Sequence, residues 1–173
     1  MIETFDLSTY ENLTSLWIDD TPGLPIEEIL MNSPKLNRVR LVNLTWRVSS
    51  EENLRTIFNK LKNCSGIDAN GNNVENAIVT GYVEIDSISD SFLEELNDTF
   101  TELIVIVNGK TRFFMRYVNW NNELLYKQAL SQGDNAIDPI VNNIIETPVR
   151  DGGEDTIYVF SKWSDLPTNV QYP

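Results

Sequence analysis

The sequence predicts an α/β fold, in which a parallel sheet carries helices on one side, followed by a small mainly-β domain. A pattern with apolar residues at its first, fourth and sixth places recurs along the first part of the chain. Its copies start at Leu13, Leu36 and Phe100, and a looser copy with glycine at the fourth place starts at Ile78. Segments with helical apolar spacing separate these copies, and from Arg112 onwards aromatic and β-branched residues predict strands instead. The chain therefore divides into an α/β module, residues 1–109, and a β-rich domain, residues 110–173.

The first copy predicts a strand over residues 13–18, because apolar residues alternate near its centre. The turn-forming residues 21–23, Thr-Pro-Gly, end this strand. Pro25 then suits the first position of a helix, where its missing N–H leaves no hydrogen bond unmade. Three apolar residues of that helix lie on one face, namely Ile26, Ile29 and Leu30.

The second copy predicts a strand over Leu36–Leu44 and the strongest helix of the chain after it. Ser49 and Glu52 match a capping box, in which each side chain bonds the backbone N–H of the other residue. Apolar residues at helical spacing follow, namely Leu54, Ile57, Phe58 and Leu61.

Residues 63–76 form a polar stretch that contains the run Asp-Ala-Asn-Gly-Asn-Asn, and they predict a surface insertion or a hairpin. The alternative is a calcium-binding loop that starts at Asp68. An EF-hand loop needs glycine at its sixth place and glutamate at its twelfth, and here those places hold Asn73 and Val79. The sequence therefore predicts no metal site.

The third and fourth copies predict strands over Ile78–Ile85 and Leu103–Val107, with a helix between them. Ser89, Asp90 or Ser91 can cap that helix. Because each strand is followed by a helix and then by another strand, neighbouring strands are expected to run parallel. The expected core of the module contains Leu16, Ile18, Val39, Leu41, Leu54, Phe58, Phe92, Leu96, Leu103 and Val105.

The second domain begins with a predicted hairpin, whose strands Phe113–Val118 and Leu124–Leu130 flank an Asn-Asn turn. Residues 157–163 alternate as a final strand. Four aromatic residues are expected to supply the core of this domain: Tyr117, Trp120, Phe160 and Trp163.

The first module resembles leucine-rich repeat proteins over about residues 13–109. The first and last steps between copies fall within that family's spacing of about 20–29 residues, and the middle step is longer by an insertion. The family's asparagine position holds Asn108 in the last copy, but Thr21, Leu44 and Asp86 in the others. The resemblance implies an irregular solenoid whose strands line one face.

The second domain resembles the internalin B-repeat, a small β-grasp-like domain of bacterial surface proteins. Residues 118–120, Val-Asn-Trp, precede a turn, and residues 158–163 match the family's Tyr-x-Phe-x-x-Trp motif. The linker between Pro139 and Tyr158 is longer than the family's. A repeat module joined to such a domain resembles structural proteins of phages of Gram-positive bacteria, and this resemblance implies a virion component.

The charge and the cysteine count narrow the classes of function. The formal net charge is −13 without any histidine, so the chain is expected to repel phosphate backbones and anionic membrane surfaces. Cys64 is the only cysteine, which excludes an internal disulfide. No apolar run approaches the ~18 residues of a membrane span. The sequence therefore predicts neither a nucleic-acid partner nor a membrane partner.

Without histidine, carboxylate pairs are the candidate acid–base groups. Adjacent pairs occur at residues 19–20, 27–28, 51–52 and 94–95. Neighbouring helical residues point in different directions, and carboxylates in a first turn are explained by the helix dipole. Cys64 lacks a histidine partner that would activate its thiol. With no nucleotide-binding motif either, the sequence predicts a non-enzymatic chain without cofactors or a small-molecule substrate, and a carboxylate-based hydrolase is the remote alternative.

Two functions follow from these predictions. The first is a structural and protein-interaction component of a bacteriophage virion, associated with the capsid or tail and assembled in the bacterial cytoplasm. Its partners would be other virion proteins and copies of itself. The second is an adhesion module at the bacterial cell surface that recognises a receptor or a glycan. The acidic N-terminus does not have the order of a signal peptide, which favours the first function.

The resemblance to leucine-rich repeats also predicts an interaction face, because the positions between the apolar ones point to the concave side. Aligning the copies places four residues in one row across adjacent strands, namely Trp17, Arg40, Tyr82 and Ile104. Arg38 and Glu84 flank this row. Trp, Tyr and Arg are enriched at binding hot spots. The alternative is that the small domain or a loop folds over this face, and in either case protein is expected to cover it.

Overall fold

The computed structural model describes residues 7–151, 157–159, 163 and 168. The chain divides into two compact units, Met1–Thr111 and Arg112–Pro173. The division lies two residues after Gly109, the last residue of the predicted first module.

The first unit contains helices and a mixed sheet, and a short 3-10 helix, Leu7–Asn12, precedes the sheet. The strands are β1 (Ser15–Asp19), β2 (Arg38–Arg47), β3 (Ser65–Ile67), β4 (Asn73–Val74), β5 (Ile78–Ile85) and β6 (Leu103–Val107). The helices are α1 (Ile26–Met31), α2 (Glu51–Lys62) and α3 (Asp90–Thr99).

Four parallel strands form the main part of this sheet, since β1 pairs with β2, β2 with β5 and β5 with β6. A helix follows each of the first three, so the predicted alternation of parallel strands and helices is confirmed. The polar stretch 63–76 contributes β3 and β4, which pair antiparallel and make the sheet mixed. This unit is therefore an α/β sheet with few helices.

The β3–β4 hairpin displaces β5 along β2. Arg38 and Val39 pair with β3, and β5 begins to pair only at Arg40, which lies opposite Ile78. Because β1 occupies the other edge of β2 over residues 38–42, β3 and β5 follow one another along the same edge. The hairpin therefore sets the register between the two central strands.

A bulge in β2 changes this register once more. Leu41 lies opposite Val79, but Leu44 lies opposite Gly81, so β2 has one more residue than β5 between these pairs. Asn43 takes a left-handed φ of 53°, and its N–H donates to the Thr80 hydroxyl at 3.1 Å. Gly81 has φ 110°, and a Cβ at this position would lie 2.2 Å from the carbonyl oxygen of Leu44. The bulge therefore requires glycine at position 81.

Two asparagine side chains connect neighbouring strand segments, one from the bulge of β2 and one just after the end of β6. The Asn43 amide donates to Asp20 Oδ1 at 3.0 Å, and the Asn108 amide donates to the Asp86 carbonyl at 2.9 Å. Thr21 and Leu44, which the aligned copies placed at the family's asparagine position, each follow one of these residues in the chain. Asp20, Asn43 and Asn108 all have left-handed φ, a conformation that Asn and Asp tolerate better than other non-glycine residues.

The core of the first unit lies between the sheet and the helices. Eight of the ten predicted core residues are buried there, and Phe58 meets Phe92 and Phe100 edge to face at centroid distances of 5.5 and 5.8 Å. Leu16 and Ile18 are only half-buried. Both lie on β1, which pairs with β2 alone among the described strands, so one side of β1 has no neighbouring strand.

Helix α2 is capped by Ser50 and not by the predicted Ser49. The Ser50 hydroxyl accepts a hydrogen bond from the Asn53 N–H at 3.2 Å. Ser49 is bound to Glu27 instead, which accepts from its hydroxyl at 2.6 Å and from its N–H at 3.2 Å. The predicted capping box is therefore wrong by one residue, because a neighbouring helix occupies its serine.

A second glutamate repeats this arrangement between α2 and α3. Glu51 accepts from the N–H of Ser89 at 2.7 Å and from its hydroxyl at 2.8 Å. Ser49 and Ser89 stand just ahead of α2 and α3. Each carboxylate therefore connects the start of one helix to the start of the next.

The described residues of the second unit form two antiparallel strand pairs, and the first of these strands begins two residues ahead of the division. β7 (Lys110–Val118) pairs with β8 (Leu124–Ser131), which confirms the predicted hairpin. β9 (Val149–Asp151) pairs with β10 (Ile157–Val159), where the final strand was predicted.

Tyr117 is the centre of the second unit's described core. It is 2% exposed, its hydroxyl donates to the Ile137 carbonyl at 2.6 Å, and its ring meets Trp163 edge to face at 5.2 Å. Trp120 was predicted to join this core, but it is 62% exposed. It follows the end of β7 and lies in the hairpin turn, so the strand pairing does not place it on the buried side. Phe160 lies outside the described residues.

The bulge predicts that replacing Gly81 by alanine destabilises the protein much more than the same change at Gly109. Gly81→Ala is expected to destabilise the protein by about 2–4 kcal/mol, because the methyl group would meet the backbone of Leu44 as well as strain φ. Gly109 also has a left-handed φ, 74°, but nothing lies within 4 Å of its Cβ position. Gly109→Ala should therefore cost about 1 kcal/mol. Urea unfolding measures both, and equal losses would contradict the close approach at Leu44.

The two bridging glutamates predict acid sensitivity. Burial raises the pKa of Glu27, but hydrogen bonds from Ser49 and Asn53 outweigh burial and bring it below 4.5. Burial likewise raises the pKa of Glu51, and hydrogen bonds from Ser89 and from Arg55 bring it below 4.5. A carboxylate with a lowered folded pKa stabilises the fold above pH 4.5, and this contribution is lost as pH falls through the folded value.

Glu27→Gln and Glu51→Gln should therefore lower the free energy of unfolding at pH 7 by about 1 kcal/mol each, and by less at pH 3. The exposed neighbours Glu28 and Glu52 supply matched controls, since Glu28→Gln and Glu52→Gln remove the same charge from the same turns. Chemical denaturation at both pH values measures the difference. If the control variants lose as much stability at pH 7, the bridging role of Glu27 and Glu51 is wrong.

Candidate functional site

The sheet of the first unit has one face against the helices and an opposite face that we call the open face. Successive side chains of a strand alternate between faces, and in β2 Val39 and Leu41 are buried while Arg38 and Arg40 are half-buried. The open face consists of Ser15, Trp17, Asp19, Arg38, Arg40, Val42, Thr45, Arg47, Ile78, Thr80, Tyr82, Glu84, Ile104 and Ile106.

Trp17 is 47% exposed on this face, and its orientation is fixed by two neighbours. Its Nε1 donates to Asp19 Oδ2 at 2.9 Å, and the Arg40 guanidinium lies 5.6 Å from the centroid of its ring. Arg40 Nε donates to the same Asp19 oxygen at 2.9 Å. An aromatic ring is thus held in one position while much of its surface faces solvent.

The loop between β3 and β4 borders this ring, which the sequence did not predict. A Cβ on Gly71 would lie 3.8 Å from the Trp17 ring. Asp68 closes the loop by accepting from the side chain and the N–H of Asn72, and from the N–H of Asn70. These bonds hold the pKa of Asp68 below 3.8, with the Asn72 side chain as the largest cause. The Asn-Gly signal predicted the turn, but not that it would lie beside β1, which precedes it by more than 50 residues.

The predicted row of interaction residues is broken between β2 and β5. Trp17 lies opposite Arg40, and Tyr82 lies opposite Ile104, as predicted. Arg40, however, lies opposite Ile78, and Tyr82 lies opposite Thr45. The alignment of copies failed here because β3 occupies the first residues of β2 and the Asn43 bulge adds one residue.

The open face therefore carries two groups of predicted residues. The first contains Trp17, Arg38 and Arg40 on β1 and β2. The second contains Tyr82, Glu84 and Ile104 on β5 and β6, where Tyr82 is 41% exposed and Glu84 lies beside Ile106. An open cleft of about 180 Å³ is lined by residues 77–80, around the start of β5, and by residues 99–102, just before β6. Sequence reasoning gave no signal for this cleft, because its two segments are distant in the chain.

Arg38 differs from the other arginines of β2. Arg40 is paired with Asp19, and Arg47 with Asp86. Arg38 lies opposite Ser15 on one side and Ser65 on the other. Its Nε is buried and has no hydrogen-bond partner among the described residues.

Three of the groups considered for catalysis, Cys64, Glu27 and Glu51, have structural environments, and so has Lys60, which is close to Cys64 in sequence. Lys60 binds the carbonyl oxygens of Leu30 and Ser33, at the end of α1, and burial lowers its pKa below 10.5. Cys64 is buried, and burial raises its pKa above 9.0 against a smaller opposing effect of Lys60. Glu27 and Glu51 are the helix-bridging carboxylates described above. Within the part of the chain that the structure describes, no three acidic, cysteine or histidine residues are grouped to hold a metal ion.

None of the described helices has the length and the apolar character that crossing a membrane requires. Comparison with protein-family models, with curated proteins and with solved structures finds no match for this chain. The resemblances to leucine-rich repeats and to the internalin B-repeat stay predictions.

The contacts around Trp17 predict that replacing two arginines of β2 lowers the stability of the protein by different amounts. Arg40→Met should destabilise the protein by about 1–2 kcal/mol, because the Arg40 side chain is only 13% exposed and Asp19 loses its cationic partner. Arg47→Met should cost less than about 0.5 kcal/mol, since Arg47 and Asp86 are both exposed. Guanidinium unfolding measures both variants. If Arg47→Met loses as much stability as Arg40→Met, the half-buried contact of Arg40 with Asp19 does not stabilise the protein more than the exposed pair of Arg47 and Asp86.

Proposed function

We propose that this chain is a non-enzymatic protein-interaction module whose open face binds another protein. The observation that carries the proposal is the exposure of Trp17 and Tyr82, at 47% and 41%, on a sheet face that also bears Arg38 and Arg40. Large aromatic and arginine side chains are the types that dominate binding energy at protein interfaces.

The fixed orientation of Trp17 supports a binding role. A side chain that is ordered before binding loses little conformational entropy when a partner covers it. Asp19 and Arg40 supply that order here, through the Nε1 hydrogen bond and the contact with the ring. A partner would gain the burial of the indole without the cost of immobilising it.

The setting that we propose is a bacteriophage virion, in which the chain contacts other virion proteins or copies of itself at the capsid or tail. Support for this setting comes from the two resemblances in the sequence. The parallel strands that follow one another in chain order are compatible with a repeat-derived module.

The second candidate is recognition of a cell-surface receptor or glycan. The exposed Trp17 ring favours it, because a flat apolar ring with fixed orientation can also stack on a sugar ring. Mass spectrometry separates the two settings: peptides of this chain in purified phage particles support the virion, and their absence from particles supports the surface module.

Variants of the open face test the proposal directly. Cross-linking of this chain in purified particles identifies the protein that it contacts. The affinity for that protein is then measured by calorimetry, or by sedimentation equilibrium if the partner is a second copy of the chain. Trp17→Ala and Tyr82→Ala should each weaken binding about tenfold or more, the effect of a hot-spot residue.

Trp120→Ala is the matched control, because Trp120 is exposed in the second unit and lies outside the open face. It should leave the affinity unchanged. If Trp17→Ala and Tyr82→Ala bind as tightly as the wild type, the open face is not the interaction face.

A further inference from the structure

The outer edge of β1 carries no neighbouring strand among the residues that the structure describes, where β1 pairs with β2 alone. An edge strand presents a row of unpaired N–H and C=O groups, and an extended segment of another protein can add to it as a further strand. Main-chain hydrogen bonds supply affinity in such a complex, and alternate side chains supply specificity.

Arg38 gives this edge a charge preference. The chain has 26 acidic and 13 basic residues, so an arginine without a carboxylate partner is unexpected. Arg40 and Arg47 on the same strand both have one, whereas Arg38 has no ion pair among the described residues. A guanidinium prefers a carboxylate partner over any neutral one. Charge complementarity therefore points to a carboxylate supplied by another chain.

The register places this carboxylate. Ser15 lies opposite Arg38, between it and the outer edge. A strand added to β1 would lie about 4.8 Å beyond β1 and about 9.6 Å from β2. Because the Ser15 side chain is short, a carboxylate opposite it can reach over β1 to the long side chain of Arg38.

The same register places a second contact. Side chains two residues apart in a strand share a face. The residue two positions from the carboxylate would therefore lie opposite Trp17, whose ring is exposed and held in place. An aromatic or large aliphatic side chain at that position would cover the ring.

We propose that β1 accepts an extended segment of a partner protein that carries a carboxylate side chain for Arg38 and, two residues away, an apolar side chain for Trp17. This proposal rests on the interaction function proposed above and names the chemistry of the partner. We take the occupant to be an extended peptide strand. Ser15 and Trp17 are two residues apart on β1, so two side chains of a strand added to its edge would have the same spacing.

A library of random heptapeptides on beads tests the proposal with the full chain. Peptides that bind the wild-type chain should be enriched about fivefold in Asp or Glu over Asn or Gln at one position. An aromatic or large aliphatic residue should be enriched two positions away. In Arg38→Gln the preference for a carboxylate should vanish, while Arg47→Gln, on the same strand, should keep it. Amide hydrogen exchange of residues 15–19 should slow when an enriched peptide is bound.

Three outcomes would overturn the proposal: no enrichment at any position, enrichment that Arg38→Gln retains, or no slowing of exchange along β1. Self-association that Arg38→Gln abolishes, without enrichment from the library, would assign the edge to a second copy of the chain instead. A different result would overturn the proposed function, namely unchanged affinity of Trp17→Ala and Tyr82→Ala for the partner protein. Loss of binding in those variants without a carboxylate preference would retain the function and reject this chemistry.

Discussion

The register between β2 and β5 is the constraint on which the rest of the first unit depends. β3 occupies the first residues of β2, so β5 starts to pair at Arg40, and the Asn43 bulge then shifts the pairing by one residue. Gly81 makes this possible, because the backbone of Leu44 occupies the space that a side chain would need. The side chains that meet across the open face, and the core positions behind them, follow from these two events.

Some carboxylates of this chain connect helices, besides contributing to its negative net charge. Glu27 and Glu51 each accept two hydrogen bonds from the serine ahead of the next helix. Arg55 joins the second bridge and lies 4.0 Å from the centroid of the Phe92 ring, so the polar layer and the apolar core are in contact. In each bridge the carboxylate accepts hydrogen bonds from both the hydroxyl and the backbone N–H of that serine. Two of the adjacent carboxylate pairs, 27–28 and 51–52, therefore each contain one bridging and one exposed residue.

The parts of the fold that depend on local periodicity could be predicted from sequence. Strand β5, strand β6 and the buried face of α2 follow directly from the spacing of their apolar residues. Features set by tertiary contacts could not. Ser49 carries a good capping signal, yet Glu27 binds it, and Trp120 belongs to an aromatic motif, yet the turn exposes it. The residues of the predicted interaction row lie on the strands expected for them, but their row depended on a register that the hairpin insertion changed.

The same register sets the distance between Trp17 and Tyr82, and hence how large a partner must be to contact both under the proposed function. Trp17 and Tyr82 lie two strands apart, and their pairing partners Arg40 and Thr45 are five residues apart along β2. At about 4.8 Å between strands and about 3.3 Å per residue, the two rings are some 15–20 Å apart. Groups at that separation contribute independently to binding. A single peptide strand on β1 would reach only the Trp17 group, whereas a folded partner covering about 800 Å² would contact both groups. The proposed function and the proposed strand addition are therefore compatible with one folded partner that inserts one extended segment along β1 and places a second surface on Tyr82.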